Sequence, residues 1–349
     1  MIEMPRPDLE GLPEEVVDYI AALETALLSR STPVAAPRSA AAEPELTEPE
    51  TTVQVISISR AGLAKRTPRH FYSRQRRAGM GVFDLDGDEA DPPAFVLLAD
   101  VAERLLLFTN LGRVFPLAVA DIVATDVRGR GQSLLAGLTL RPAEQLAAVL
   151  PAAGGRQVVL ASTRGWVRIV VGAFFGRSLI PGLVVHDPAE GGPLAAACWS
   201  NGDADLFLAT RQGEAIRISE RQVPGRRGRL GARVANGDAV VAVAAVDDGD
   251  GVFLLGDDGR GTIRLMRGFR QTKTPGSGTK QALKTERLVA ALKVREQDDL
   301  FILSRLGKMI RFGAAEIPPK TGLVQGVNCM ALRADETVAA AVAALDRSS

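Results

Sequence analysis

The side chains of this chain whose types and spacing could do chemistry are basic, and they come in runs. Residues 60–77 hold seven Lys and Arg and no acid, residues 260–284 hold seven and none, and residues 211–233 hold seven arginines against Glu214 and Glu220. Clustered guanidinium and ammonium groups displace the counterions of a phosphate backbone, so the chemistry on offer is polyanion binding. Gly and Ser interleaved with them, as in GRGQS, PGRRGRLGAR and TPGSGTK, let backbone amides come close to phosphates. No comparable set supports acid–base, nucleophilic or metal chemistry. His70 and His186 stand far apart, Cys198 and Cys329 are 131 positions apart, and there is no phosphate-binding P-loop. The run Asp84, Asp86, Asp88, Glu89, Asp91 lacks the spacing of a calcium loop and reads as a solvated loop. No metal and no cofactor is expected.

Those clusters need a frame. The composition, 46% hydrophobic and 24% charged over 349 residues, is that of a folded protein with a sizeable core, and two cysteines cannot build a disulfide framework. No run of 18 apolar residues occurs, and the first twenty residues are acidic, so neither a membrane span nor a secretory signal is expected and the chain reads as cytoplasmic. The formal net charge of +1 hides an asymmetry: residues 1–52 hold three basic and eleven acidic residues, a net −8, and the remainder carries +9. Within the acidic part, residues 13–30 (PEEVVDYIAALETALLSR) predict a helix, with Pro at its start, Glu14 and Glu15 in the first turn, and Val16, Ile20, Leu23 and Leu27 on one stripe. That stripe suits either a second copy of the chain or the main domain. Residues 31–52, rich in Pro, Ala, Thr and Glu, predict a flexible acidic linker, a tether or a competitor for the basic body.

From residue 53 a repeat governs the sequence. VQVISISRAGLAKRT, RLLLFTNLGRVFPL, QVVLASTRGWVRIV, DLFLATRQGEAIRI, GVFLLGDDGRGTIRL and DLFILSRLGKMIRF align on Gly62, Gly112, Gly165, Gly213, Gly259 and Gly307, with separations of 50, 53, 48, 46 and 48. Six positions before each glycine stands Ile56, Leu106, Val159, Phe207, Phe253 or Phe301. Each unit predicts a β-hairpin whose turn needs a positive-φ glycine. Further strands complete most units, among them LLAGLTL, QLAAVLP, AVVAVAAV, RLVAALKV and TVAAAVAAL. Four strands per unit of about 50 residues is the pattern of a propeller blade, whose faces are buried only by stacking on neighbouring blades. The expected fold is therefore all-β and six-bladed over residues 53–345, preceded by a short helical segment (1–30) and the linker (31–52) and followed by a tail (346–349).

Positive charge recurs at one place in each blade, the second hairpin strand and the loop after it. It comes from Lys65, Arg66 and Arg74 in the first blade, Arg128 and Arg130 in the second, and Arg168 and Arg177 in the third. The fourth blade supplies Arg226, Arg227, Arg229 and Arg233, the fifth Arg267, Arg270, Lys273 and Lys280, and the sixth Lys308, Arg311 and Lys320. Such a belt on a propeller rim would follow a curved polyanion rather than a point ligand.

The loop after the first hairpin contains Gln75–Gly81, QRRAGMG. It resembles the gyrase A box, the QRRGGKG signature of the first blade of the DNA gyrase A C-terminal domain, and the repeats over residues 53–345 are similar to that domain and to its topoisomerase IV counterpart. Gln75, Arg76, Arg77, Gly79 and Gly81 match the box, while Ala78 replaces a glycine and Met80 a lysine. The resemblance implies a β-pinwheel, a propeller-like fold of Greek-key blades. It also implies double-stranded DNA bent around the rim, and a role in DNA topology at the nucleoid. The catalytic tyrosine domain and long coiled coil that precede this domain in gyrase have no counterpart in the 52 residues before the repeats, and Tyr19 and Tyr72 lie outside any match to the catalytic context, so no strand cleavage is expected. A type II topoisomerase catalytic core, or the chain itself, is the expected partner of the 13–30 helix. The alternative is a protein-interaction propeller that has kept the fold and lost DNA wrapping, a reading prompted by Ala78, Met80 and the acidic tether.

Overall fold

Each of the six repeat glycines adopts a positive φ, from 73° to 84°, and its amide donates to the carbonyl three residues back, closing the tight turn of a hairpin. In four of the hairpins a Ser or Thr at that third position back also accepts from the amide after the glycine: Ser59 from Leu63, Thr109 from Arg113, Ser162 from Trp166 and Ser304 from Lys308. The turn is thus held from the backbone and from a side chain.

The computed structural model describes residues 48–344 apart from Arg226, together with Pro13, Val16, Val17, Asp18 and Ile20. Val16, Val17, Asp18 and Ile20 are helical. The rest of the expected 13–30 helix, residues 31–47 of the expected linker and the 346–349 tail lie outside the described residues.

The six hairpins form six antiparallel four-stranded sheets. In blade 1 the order from axis to rim is Pro93–Asp100, Val53–Ser59, Leu63–Pro68 and Gln132–Ser133. The first three strands belong to one repeat, and the outermost, two residues long, comes from the loop of the next. The same holds around the ring, so the loop of repeat 5 supplies Lys280–Gln281 to blade 4 and that of repeat 6 supplies Val327–Asn328 to blade 5. Blade 6 (Thr337–Ala343, Asp299–Ser304, Lys308–Gly313) receives Val82–Phe83 from repeat 1, with Lys308 opposite Phe83 and Met309 opposite Val82. The ring is closed by this exchange and by contact of the inner strands of blades 6 and 1. The expected strand LLAGLTL does not form. Its place is taken by Gln132–Ser133 and a single 3-10 turn, Leu135–Gly137, because the borrowed edge strand needs only two residues of pairing.

The core follows from the register. The six residues at position −6 are fully buried, and each faces the following blade. Six apolar clusters lie one at each blade junction: Ile56 with Leu105 and Phe115 between blades 1 and 2, Phe207 with Val252 and Phe269 between 4 and 5, Phe301 with Val55 and Tyr72 between 6 and 1. Burying an edge-on face by stacking is what a hairpin unit alone cannot do. The inner strands, with Ala148, Ala196, Val243, Ala291 and Ala340 among them, line an apolar central cavity that carries no titratable side chain.

Candidate nucleic-acid interface

The structure sorts the basic residues into those that hold the ring together and those that face solvent. Four positions after the repeat glycine stand Arg66, Arg217 and Arg311 in blades 1, 4 and 6. Each reaches across to the 3-10 turn of the next blade. Arg66 Nε donates to the Ile122 carbonyl at 2.9 Å, Arg217 Nη1 to Met266 and Phe269 at 2.9 and 3.3 Å, and Arg311 Nη1 to Arg69 and Tyr72 at 3.3 and 2.9 Å. The other side of each guanidinium is met by the residue eight before its glycine: Gln54 at 3.3 Å, Asp205 at 2.8 Å and Asp299 at 2.7 Å. These arginines staple adjacent blades.

Arg311 is therefore corrected from rim contact to buried staple, and Lys65 with it. Lys65 is fully buried, its Nζ 2.8 Å from Asp84 and bonded to the Asp126 carbonyl at 3.1 Å. Asp84 also accepts from the Tyr72 hydroxyl and, at 2.5 Å, from Ser57 Oγ. Burial pulls the Lys65 ammonium below the usual lysine range despite the opposing pull of Asp84, and burial plus that carboxylate push the Tyr72 phenol well above its ordinary value. Asp84, expected as part of a solvated loop, is instead the buried anchor immediately behind the ring-closing strand Val82–Phe83, while Asp86, Asp88 and Glu89 are exposed.

The box occupies the seam between blades 6 and 1. Arg74 forms a two-pronged ion pair with Asp299, Nε at 2.9 Å and Nη2 at 2.9 Å. The Gln75 amide donates to the Arg311 carbonyl at 2.8 Å, the Ala78 amide to Cys329 at 2.9 Å, and Gly79 accepts from the Ala331 amide at 2.9 Å. The Arg77 amide donates to Glu316 at 2.9 Å and its Nη1 to the Asn328 carbonyl at 3.1 Å. The Gln75 side chain accepts from the Gly81 amide at 3.2 Å. Gly81, at φ 71°, leaves no room for a Cβ, which would lie 2.6 Å from the Met309 carbonyl oxygen. Ala78, at φ 64°, is strained in the left-handed region that the glycine of the box signature would occupy freely. Arg76 and Met80 face solvent.

Arg128, Arg130, Arg177, Arg227, Arg233, Arg267, Arg270, Lys273, Lys280 and Lys320 are exposed, and like Arg76 none is paired with a carboxylate among the described residues. Arg168, Arg229 and Lys308 are half-buried, Arg229 donating to the Gln222 carbonyl at 2.8 Å and Lys308 lying 5.3 Å from the centre of the Phe83 ring. Arg226 lies outside the described residues. The density is uneven: the loop of blade 3, residues 172–193, carries Arg177 but also exposed Phe174, Ile180 and Val184, whereas blades 4 and 5 carry most of the unpaired cations.

Residues 48–52 lie against this surface. Glu48 pairs with Arg311 and with Arg69, the latter at 3.0 Å, and the Thr51 amide donates to His70 Nδ1 at 3.1 Å. Burial would raise the Glu48 carboxyl, but the bonds and charges of Arg311 and Arg69 outweigh it and hold it below the usual carboxylate range. Sequence reasoning missed Asp205, Asp299, Asp84 and Glu48 as partners of these cations. The carboxylate eight positions before a repeat glycine, set against the arginine four positions after it, was the available signal for the first two.

Residues 54–90, 103–153, 204–247 and 298–344 match the family model of the DNA gyrase C-terminal domain, beta-propeller. The chain is 30% identical over 300 residues to the DNA gyrase A protein of Chlamydia muridarum, covering 82% of this chain and 36% of that one, and 27% identical over 295 residues to that of Escherichia coli, covering 81% and 34%. It thus spans about a third of the length of these relatives. Among solved structures it superposes on a DNA gyrase A C-terminal domain with a TM-score of 0.73 at 18% identity, covering 84% of this chain and all of that one. It also superposes on the C-terminal domain of DNA topoisomerase IV with a TM-score of 0.55 at 16% identity, covering 84% and 94%. With six Greek-key blades, a box at the closing seam and a family match over half its length, the chain belongs to the DNA gyrase C-terminal domain family.

Proposed function

We propose that this chain is a duplex-DNA-binding module that bends or wraps DNA around the rim of its six blades, contributing to the control of DNA topology at the nucleoid without cleaving strands itself. The observation that carries the reading is the set of exposed cations, unpaired among the described residues, that recurs in the loop after the second hairpin strand of all six blades. A rim of that kind matches a bent phosphate backbone and no small ligand. A type II topoisomerase catalytic core, or a second copy engaged through the 13–30 helix, is the protein partner in this reading. Protein docking as the main role is favoured by one observation, the exposed Phe174, Ile180 and Val184 in the loop of blade 3.

The test is duplex-DNA affinity against salt. Rim binding lowers log K by about 0.9 per phosphate neutralised for each decade of salt. A flat response would sink the reading in favour of protein docking. Within it, replacing Arg76 and Arg77 by Ala should reduce DNA bending more than replacing Arg168 and Arg177. Equal losses would remove any special role for the box.

A further inference from the structure

Five Lys and Arg side chains are buried among the described residues: Lys65, Arg113, Arg217, Arg264 and Arg311. Four have a carboxylate oxygen at 2.7–2.8 Å, from Asp84, Glu144, Asp205 with Asp248, and Asp299. Arg264, only 6% exposed, has none within 4.0 Å among the described residues, and its Nε and Nη1 are buried without a hydrogen-bond partner. A buried charge without a counter-ion is strongly destabilising, and an anion bound beside it would relieve that cost.

The sequence marks the same residue. At the fifth position after the repeat glycine the other blades carry Thr67, Leu117, Val170, Ile218 and Phe312, and only blade 5 has an arginine. Arg264 stands opposite Val252, which belongs to the core between blades 4 and 5, so the arginine faces that groove. Lys280, on the edge strand of blade 4, lies with its Nζ 4.1 Å from the centre of the Phe269 ring, and the Arg264 guanidinium is 5.7 Å from the same centre. Partial burial and then the charges of Arg264, Arg270 and Arg217 lower the Lys280 ammonium below its ordinary range, which places these cations in one field. Arg217 is neutralised by Asp205 and Asp248, while Lys280 and Arg270 have no carboxylate partner among the described residues. Blade 5 also lies in a stretch, residues 248–297, that the family model does not match.

We propose that Arg264, with the exposed Lys280 over the same Phe269 ring, forms a phosphate seat in the groove between blades 4 and 5, filled by a backbone phosphate of duplex DNA on the rim. A guanidinium meets the two free oxygens of a phosphodiester through neighbouring donors on one edge, here Nη2 with either Nε or Nη1, and Lys280 adds a second cation to the same single negative charge. The seat rests on the DNA-binding reading above for its source of phosphate, but not for its chemistry.

The experiment compares the wild-type chain with Arg264→Met in two measurements. The first is thermal unfolding in sodium phosphate against sodium chloride at equal ionic strength. Phosphate raises the melting temperature of the wild type above its value in chloride, and Arg264→Met loses that difference while melting no lower in chloride. The second is duplex-DNA affinity against salt, where Arg264→Met flattens the slope of log K by about 0.9. Lys280→Gln, a change at an exposed position, repeats both measurements should the methionine variant fold poorly, and it weakens both effects. No phosphate-specific stabilisation of the wild type overturns the seat. Stabilisation that Arg264→Met abolishes, with an unchanged DNA slope, overturns the DNA backbone as its occupant and leaves free phosphate. A wild type whose DNA affinity is indifferent to salt defeats the DNA-binding reading itself, and the phosphate comparison still decides the seat.

Discussion

Replacing Asp84 by Asn should open the ring at one place. Asp84 is fully buried and meets three partners at once, Lys65 Nζ at 2.8 Å, Ser57 Oγ at 2.5 Å and the Tyr72 hydroxyl. The asparagine keeps the volume and removes the charge, leaving Lys65 as an uncompensated buried ammonium. Breaking a buried pair from one side costs about 3–5 kcal/mol. A domain of this size shifts its melting temperature by about 2 °C per kcal/mol, so the variant should melt roughly 6–10 °C lower. The position of Asp84 directly after Val82–Phe83 predicts where the loss is felt: amides of Lys308–Gly313, which pair with that strand, should exchange faster with solvent, while blades 3 and 4 keep their protection. Adding Lys65→Met removes the orphaned charge and should recover most of the stability. Additive losses in the double variant, or exchange rising equally in all blades, would refute the view that this pair anchors the closing strand.

Ala78→Gly relieves a φ of 64° at the price of a more flexible unfolded chain, and the net gain is about 0.5–1 kcal/mol, visible as a rise of about 1–2 °C in melting temperature. Met80→Lys puts a cation back at an exposed box position and should steepen the salt dependence of DNA binding by about 0.9 per decade, with unchanged stability. Glu48, whose folded-state carboxyl is held low, stabilises the fold through its pairs with Arg311 and Arg69 above its unfolded-state range and loses that contribution as pH falls through its lowered folded value. Glu48→Gln should therefore destabilise the chain at neutral pH and match the wild type at the acid end, as thermal melts across pH would read.

The six-bladed frame was legible because its two determinants are local and repeated. A glycine that must take positive φ and an apolar residue six positions earlier fix the hairpin and the face it buries. The ownership of the outer strands was not legible. A pair such as Gln132–Ser133 or Val82–Phe83 has no period of its own, and its pairing partner lies in another repeat, the preceding one for Gln132–Ser133 and the last of the array for Val82–Phe83. The candidate interface divided along the same line. Arg76, Arg128, Arg130 and Arg177 are exposed as a count of charges would suggest. Lys65 and Arg311 look identical to them in composition, and only the third dimension supplies Asp84, Asp299 and Glu48 to draw them inward.

Because every blade borrows its outer edge from the next repeat, and the last borrows from the first, no repeat in this array is terminal. A linear solenoid frays from its ends and needs capping units to protect them. Here a substitution in one loop is felt on the neighbouring blade, and a change in the number of repeats would leave one edge without a donor and one donor without an edge. The blade count is thereby set by closure, and the rim behaves as a single cooperative hoop rather than six beads on a string.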